Sequence, residues 1–371
     1  MKKESVISFV TLIIVLAVAI IMGLFVVRDA FDRLYTLSLS PIIFTLIGLI
    51  VGFIFNIVLI ELAHATGAKL GKCKVVSLCF YFIAFVKTKA GFKVKIDDFD
   101  GLTGETKIIA KDKNSKLNAF VWMPLVFYAI ELVGCVILYT MANDAKSDSA
   151  IKWLGLVALL WIILSSMLIV YDFLPFKMDT MTDGYRLILL SNKKNAEPLL
   201  SYMSYQGRRA YGEDCEFNAE FTEITDFTAD LNFLSAERAL LKEDFETVNK
   251  IVLTLEANKD SLNEQSKYHL NAVKLFMMFN NENIDVVKEF YEKEIDDKTR
   301  KFLSNDNDIS SLRTYALIAG LIDQSEFEVQ YACSKKEKSV KRCPKEDWDA
   351  EGKLFDKVVE RIKESHPKWA K

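Results

Sequence analysis

Five residues at the end of a long apolar run, Ile60-Glu61-Leu62-Ala63-His64, place an acid and an imidazole within one helical turn. Residues three and four apart share a helix face, so Ile60, Glu61 and His64 point toward one small volume. Ionisable side chains are costly in hydrocarbon, and a pair of them at membrane depth marks a functional site whose partners must come from elsewhere in the chain. The spacing falls one residue short of H-E-x-x-H, in which two His bind zinc and the Glu serves as general base. Ile60 stands where the first His would be. Later in the chain, Asp172-x-x-Pro175 and Asp183-Gly184 supply further carboxylates beside helix-breaking residues. An exposed turn would account for Asp183-Gly184 equally well from the local sequence alone.

The elements that must position these groups are apolar. Runs over about residues 6–27, 40–64, 118–141 and 151–174 are each long enough to cross a bilayer, so about four spans are expected. A cleaved signal peptide is the rival reading of the first, although its apolar core would be shorter and followed by a small-x-small site. Between the second and third spans lie eleven Lys, whereas the other two connections offer only Arg28, Arg33 and Lys146. Basic residues favour the cytoplasmic side, which puts both termini inside and the Glu61/His64 pair at the cytoplasmic boundary. This Lys-rich insert, about residues 70–116, also carries strand patterns. Val75 to Val86 is rich in β-branched and aromatic residues, and Phe92-Lys93-Val94-Lys95-Ile96 alternates. Asp100-Gly101 and Thr103-Gly104 read as turns. A small membrane-associated β element is therefore expected, with a solvated basic loop as the alternative.

Residues 191–371 read as a soluble, mainly α-helical domain following a membrane domain over 1–190. Amphipathic helices are predicted over Phe227–Leu255, Asp260–Phe279, Ile284–Lys293, Ser310–Ile322, Glu326–Lys335 and Asp347–Ser365. Ala236, Ala239, Phe245 and Val248 fall where a tetratricopeptide-like repeat places small and apolar residues, so helical repeats for protein contacts stand beside an ordinary helical cap. Forty-seven basic against fifty acidic residues leave a net charge of −3, which gives no reason to expect nucleic acid as a partner. Six Cys without a C-x-x-C pair argue against a structural zinc site or a disulfide framework.

Taken together, Glu61, His64, Asp172-x-x-Pro175 and Asp183-Gly184 resemble the site-2 protease family of intramembrane zinc metalloproteases. Gly71, followed by the strand-like Lys74–Phe80, fits the family's usual continuation. The resemblance covers roughly Ile42–Leu190 and implies a polytopic membrane helical bundle in a bacterial-type plasma membrane. It also implies zinc held by two His of one span and an Asp of a later one, with Glu61 as catalytic base and His64 and Asp183 as ligands. Three departures accompany it: Ile60 replaces the first His, Asp172 the usual Asn, and the stretch from Pro175 to Asp183 is longer than common. Catalytic zinc normally takes three protein ligands, and Ile donates nothing to a metal. Asp179 or Asp172 is left as a possible third ligand, since His269 and His366 lie in the soluble half.

Three functions are therefore expected to compete. The first is a pseudoprotease without a cofactor that binds a membrane client or partner complex and scaffolds or regulates through its soluble helices. The second is an active zinc protease with a rearranged site, and the third a generic transport subunit whose His64 merely ends a helix. Gly-rich phosphate loops and a G-x-S-x-G nucleophile elbow are absent from the sequence.

Overall fold

A computed structural model describes Ala17 and residues 39–96, 104–144, 149–175, 181–213, 215–343 and 347–369. The span expected over 6–27 lies, Ala17 apart, outside the described residues, as do Asp179 and the Asp100-Gly101 turn. The chain is mainly helical and divides at Cys215/Glu216 into two compact units.

In the first unit, α1 (Leu39–Leu70) leads into an antiparallel sheet of β1 (Cys73–Phe80), β2 (Ile83–Thr88), β3 (Gly91–Ile96) and β4 (Gly104–Ala110), in the order β3-β2-β1-β4. Two further long helices follow, α2 (Asn118–Asp144) and α3 (Ser149–Phe173), then α4 (Asp183–Ser191) and α5 (Lys193–Tyr211). Three segments are long and apolar enough to cross a membrane, Leu46–Leu70, Asn118–Ala142 and Leu154–Phe173, which fits a membrane protein. Ile50, Ile54, Ile130, Val133 and Met167 point outward, while Asn56, Glu61 and Ser165 are fully buried. That polarity suits a lipid surround, where interior polar groups answer one another and the outer face needs only to be apolar.

The second span continues as helix to Leu70, and α3 ends at Phe173, two residues before Pro175. Proline clashes with the preceding turn and disfavours helix at the residue before it, so a stop there follows from its ring. Beyond residue 190, α5 packs on β4 and β1, burying Leu199 and Met203. Strand β4 pairs with β1 along its whole length, from Cys73↔Ala110 to Phe80↔Gly104.

The second unit is built of α6 (Asp226–Leu240), α7 (Phe245–Ala257), α8 (Glu264–Asn281), α9 (Ile284–Glu294), α10 (Asp297–Asn305), α11 (Ile309–Leu317), α12 (Glu326–Val340) and α13 (Trp348–Ser365). The single helix expected over Phe227–Leu255 is two. Glu243 takes a left-handed backbone with φ 61°, and Asp244 caps α7 by accepting from the Thr247 amide at 3.1 Å. Helix α10 starts in the same way, with Asp296 accepting from the Thr299 amide at 2.8 Å. Ala236, Ala239 and Val248 are buried in one core with Leu255, Leu270, Phe279, Leu303, Leu312 and Phe355.

A buried charge cluster joins α6, α11 and α13. Arg313, 1% exposed, donates to Glu237 at 2.6 Å and to Glu351. Burial outweighs the attraction of Arg313 and, with Glu237 and Asp308 nearby, pushes the Glu351 carboxyl from 4.5 up to about 7. A raised folded value means that the folded unit holds this proton more tightly than the unfolded chain. Stability from Glu351 is therefore complete below about pH 4.5 and is lost as the pH rises to about 7, on the order of 3 kcal/mol for a shift of this size. Thermal denaturation of the whole chain across that window should show the fall in the second unit. Glu351→Gln, which still accepts from Arg313, should flatten it, and superimposable pH profiles would overturn the assignment.

Candidate functional site

Helix α1 carries Glu61 and His64 on the face turned toward the sheet and the other helices, both buried. Glu61 Oε2 accepts from Thr106 Oγ1 of β4 at 2.5 Å, so a strand hydroxyl holds the carboxylate. Its other oxygen, Oε1, has no partner among the described residues. Gly104 allows this approach, because a Cβ there would stand 2.9 Å from Glu61 Oε1 and 2.1 Å from the Cys79 carbonyl oxygen. The His64 ring stacks on Phe120 of α2 with centroids 4.7 Å apart.

The later Asp-Gly element reaches the same place. Thr182 caps α4: its Oγ1 donates to the Leu174 carbonyl at 2.5 Å and accepts from the Tyr185 amide at 3.3 Å, tying the helix start to the end of α3. Gly184 is required there by contact, since a Cβ would lie 2.1 Å from the Phe173 carbonyl oxygen. Asp183, fully buried, meets His64 Nε2 through Oδ2 at 2.8 Å, while His64 Nδ1 lies 3.8 Å from Glu61 Oε2. Three side chains more than a hundred residues apart in part of the chain thus share one pocket.

No protein-family model matches the chain, and no curated protein or solved structure matches it. The chemistry of the site is therefore read from its own groups.

Arg186, one turn along α4, donates to Asp183 Oδ1 at 2.8 Å and lies over the Phe120 ring. Both oxygens of Asp183 are thereby engaged, one by an imidazole and one by a guanidinium. Burial alone would raise the Asp183 carboxyl; the charges of His64 and Arg186 bonded to it outweigh that and hold it below the ordinary carboxylate range. Asp172 is buried within electrostatic reach of Asp183, His64, Arg186 and Glu61, and its Oδ2 lacks a partner among the described residues. Asp179 lies outside the described residues.

His64 and Asp183, the zinc ligands that the resemblance implies, are bonded to each other. Ile60, 1% exposed, packs with Tyr128 and Leu168 in an apolar cluster. Asp183 already carries a cation on one oxygen, and catalytic zinc needs three protein donors. Among the described residues no group of three or more His, Cys, Asp or Glu is placed to hold a metal ion. What remains is a hydrogen-bonded chain, Arg186–Asp183–His64, with the Thr106–Glu61 pair close beside it. Such a chain ties α4 to α1. The reading of residues in sequence missed Arg186, although its place three residues after Asp183 on a helix was a usable signal. It missed Thr106 as well, for which strand pattern offers none.

Proposed function

We propose that this chain is a membrane-embedded, site-2-protease-like protein without hydrolytic activity, which binds a membrane-spanning client or partner complex and scaffolds or regulates through its soluble helices. The observation that carries this reading is the closure of Asp183 by His64 and Arg186, with Ile60 packed among apolar side chains where a third donor would stand. His64 lies beside both Glu61 and Asp183, which supports the site-2 protease resemblance. The reading includes a further span over about residues 6–27, both termini in the cytoplasm, and the bilayer itself as a partner.

Side-by-side packing of consecutive helices, α6 on α7, α7 on α8 and α8 on α9, supports a repeat-like soluble unit built for protein contacts. Metal analysis of the detergent-purified protein tests the proposal. Wild type is expected to carry no stoichiometric zinc and to lose neither fold nor stability to a chelator. Ile60→His, which restores a third donor on the same face, is expected to take zinc up. Stoichiometric zinc in the wild type that disappears in Asp183→Ala, or chelator-sensitive cleavage of a membrane-spanning substrate that disappears in Glu61→Gln, would overturn it.

A further inference from the structure

A second polar cluster lies deeper in the same bundle, near the middle of each candidate span. Asn56 of α1 and Ser165 of α3 are both fully buried, and Glu131 of α2 meets them from the third side. The two protons of the Asn56 amide go to the Gly52 carbonyl at 2.9 Å and to Glu131 Oε1 at 3.0 Å. Asn56 Oδ1, Glu131 Oε2 and Ser165 Oγ, all buried, have no partner among the described residues. The groups that bear on Glu131 are Asn56 from α1, Ser165 from α3, and Tyr128 and Cys135 from its own helix. None of them carries a positive charge. Of the other charged groups, Glu61, Asp172 and Asp183 are within electrostatic reach of Tyr128, and Arg186 is committed to Asp183.

A carboxylate in hydrocarbon without a cation is expensive, and buried polar atoms left without partners in a native fold call for an ion, a water or a proton. The donor set is all oxygen and carries at most one negative charge, so a single positive charge balances it. Among the small cations, the proton needs no coordination shell: it forms one O–H bond on Glu131 Oε2, and that new donor faces neighbouring oxygens that lack one.

We propose that Asn56, Glu131 and Ser165 form a proton-binding site at the middle of the membrane, in which Glu131 is the group that takes up and releases the proton. Tyr128, one turn from Glu131, has an unpartnered buried hydroxyl within electrostatic reach of Glu131, Asp172, Asp183 and Glu61. It connects the mid-membrane site with the boundary cluster, so protonation at one is felt at the other. The inference stands whether or not the boundary cluster has lost its hydrolytic chemistry.

Dicyclohexylcarbodiimide, an apolar reagent that adds to protonated carboxyls, tests the site in the full chain reconstituted in lipid. Mass spectrometry should find its adduct on Glu131 at neutral pH and should find less of it as the pH is raised. In infrared spectra, Glu131→Gln should remove a carbonyl band of a protonated carboxylic acid. Should that variant fail to fold, the labelling of the wild type decides alone. An unlabelled Glu131 at neutral pH overturns the proposal. Protection of Glu131 by sodium chloride but not by choline chloride also overturns it, because the carboxylate would then hold a metal cation.

Discussion

Asp183→Ala is expected to lower the stability of the membrane unit by about 3–5 kcal/mol, the usual loss when one member of a buried charged pair is removed. The size follows from what is left behind. His64 and Arg186 are both largely withdrawn from solvent, 6% and 13% exposed at the side chain, and both direct a hydrogen bond at the deleted carboxylate. Asp183→Asn should lose less, because the amide oxygen still accepts one of the two bonds. Unfolding in detergent, read by loss of helical signal for wild type, Asp183→Asn and Asp183→Ala, measures the order. In a zinc enzyme the same alanine would act by releasing metal; here the effect should persist unchanged in the presence of a chelator. Equal stability of all three proteins would mean that the Arg186–Asp183–His64 chain does not hold α4 to α1.

Arg313→Met is expected to be as severe in the second unit, again about 3–5 kcal/mol. Arg313 reaches Glu237 of α6 and Glu351 of α13 from α11, so its removal leaves both side chains without their shared donor, with Asp308 nearby. The remedy should be specific. Adding Glu237→Gln and Glu351→Gln to Arg313→Met should recover most of the loss, since a cluster without charge no longer needs its cation. Thermal denaturation of the single and triple variants reads this directly, and a triple variant no more stable than the single one would place the role of Arg313 in packing against Phe276 rather than in charge.

Much of the membrane unit was legible along the chain because its signals are local. Apolar length marks a span whatever surrounds it, Pro175 stops a helix by its own ring, and the alternation of Phe92 to Ile96 marks a strand by its own period. The shared face of Glu61 and His64 follows from helix geometry alone. In the second unit, the division of residues 227–255 into two helices turned on Glu243 in a left-handed conformation and on the cap at Asp244, a local conflict that apolar periodicity does not register. The groups that complete each site were of another kind. Thr106 is an ordinary strand residue until β4 lays it against Glu61. Asn56, Glu131 and Ser165 belong to three different apolar runs, and the hydrogen bond between the first two joins positions 75 residues apart.

From the order of residues alone came three membrane-length apolar helices, the break at Pro175, and the shared face of Glu61 and His64 next to an aliphatic Ile60. Packing settled which groups meet: Asp183 could have lain in an exposed turn, and it is buried between His64 and Arg186 because Gly184 lets α4 close on the end of α3. Periodicity is a property of neighbours in the chain, whereas the partner of a buried charge is chosen by whatever distant side chain burial leaves within reach.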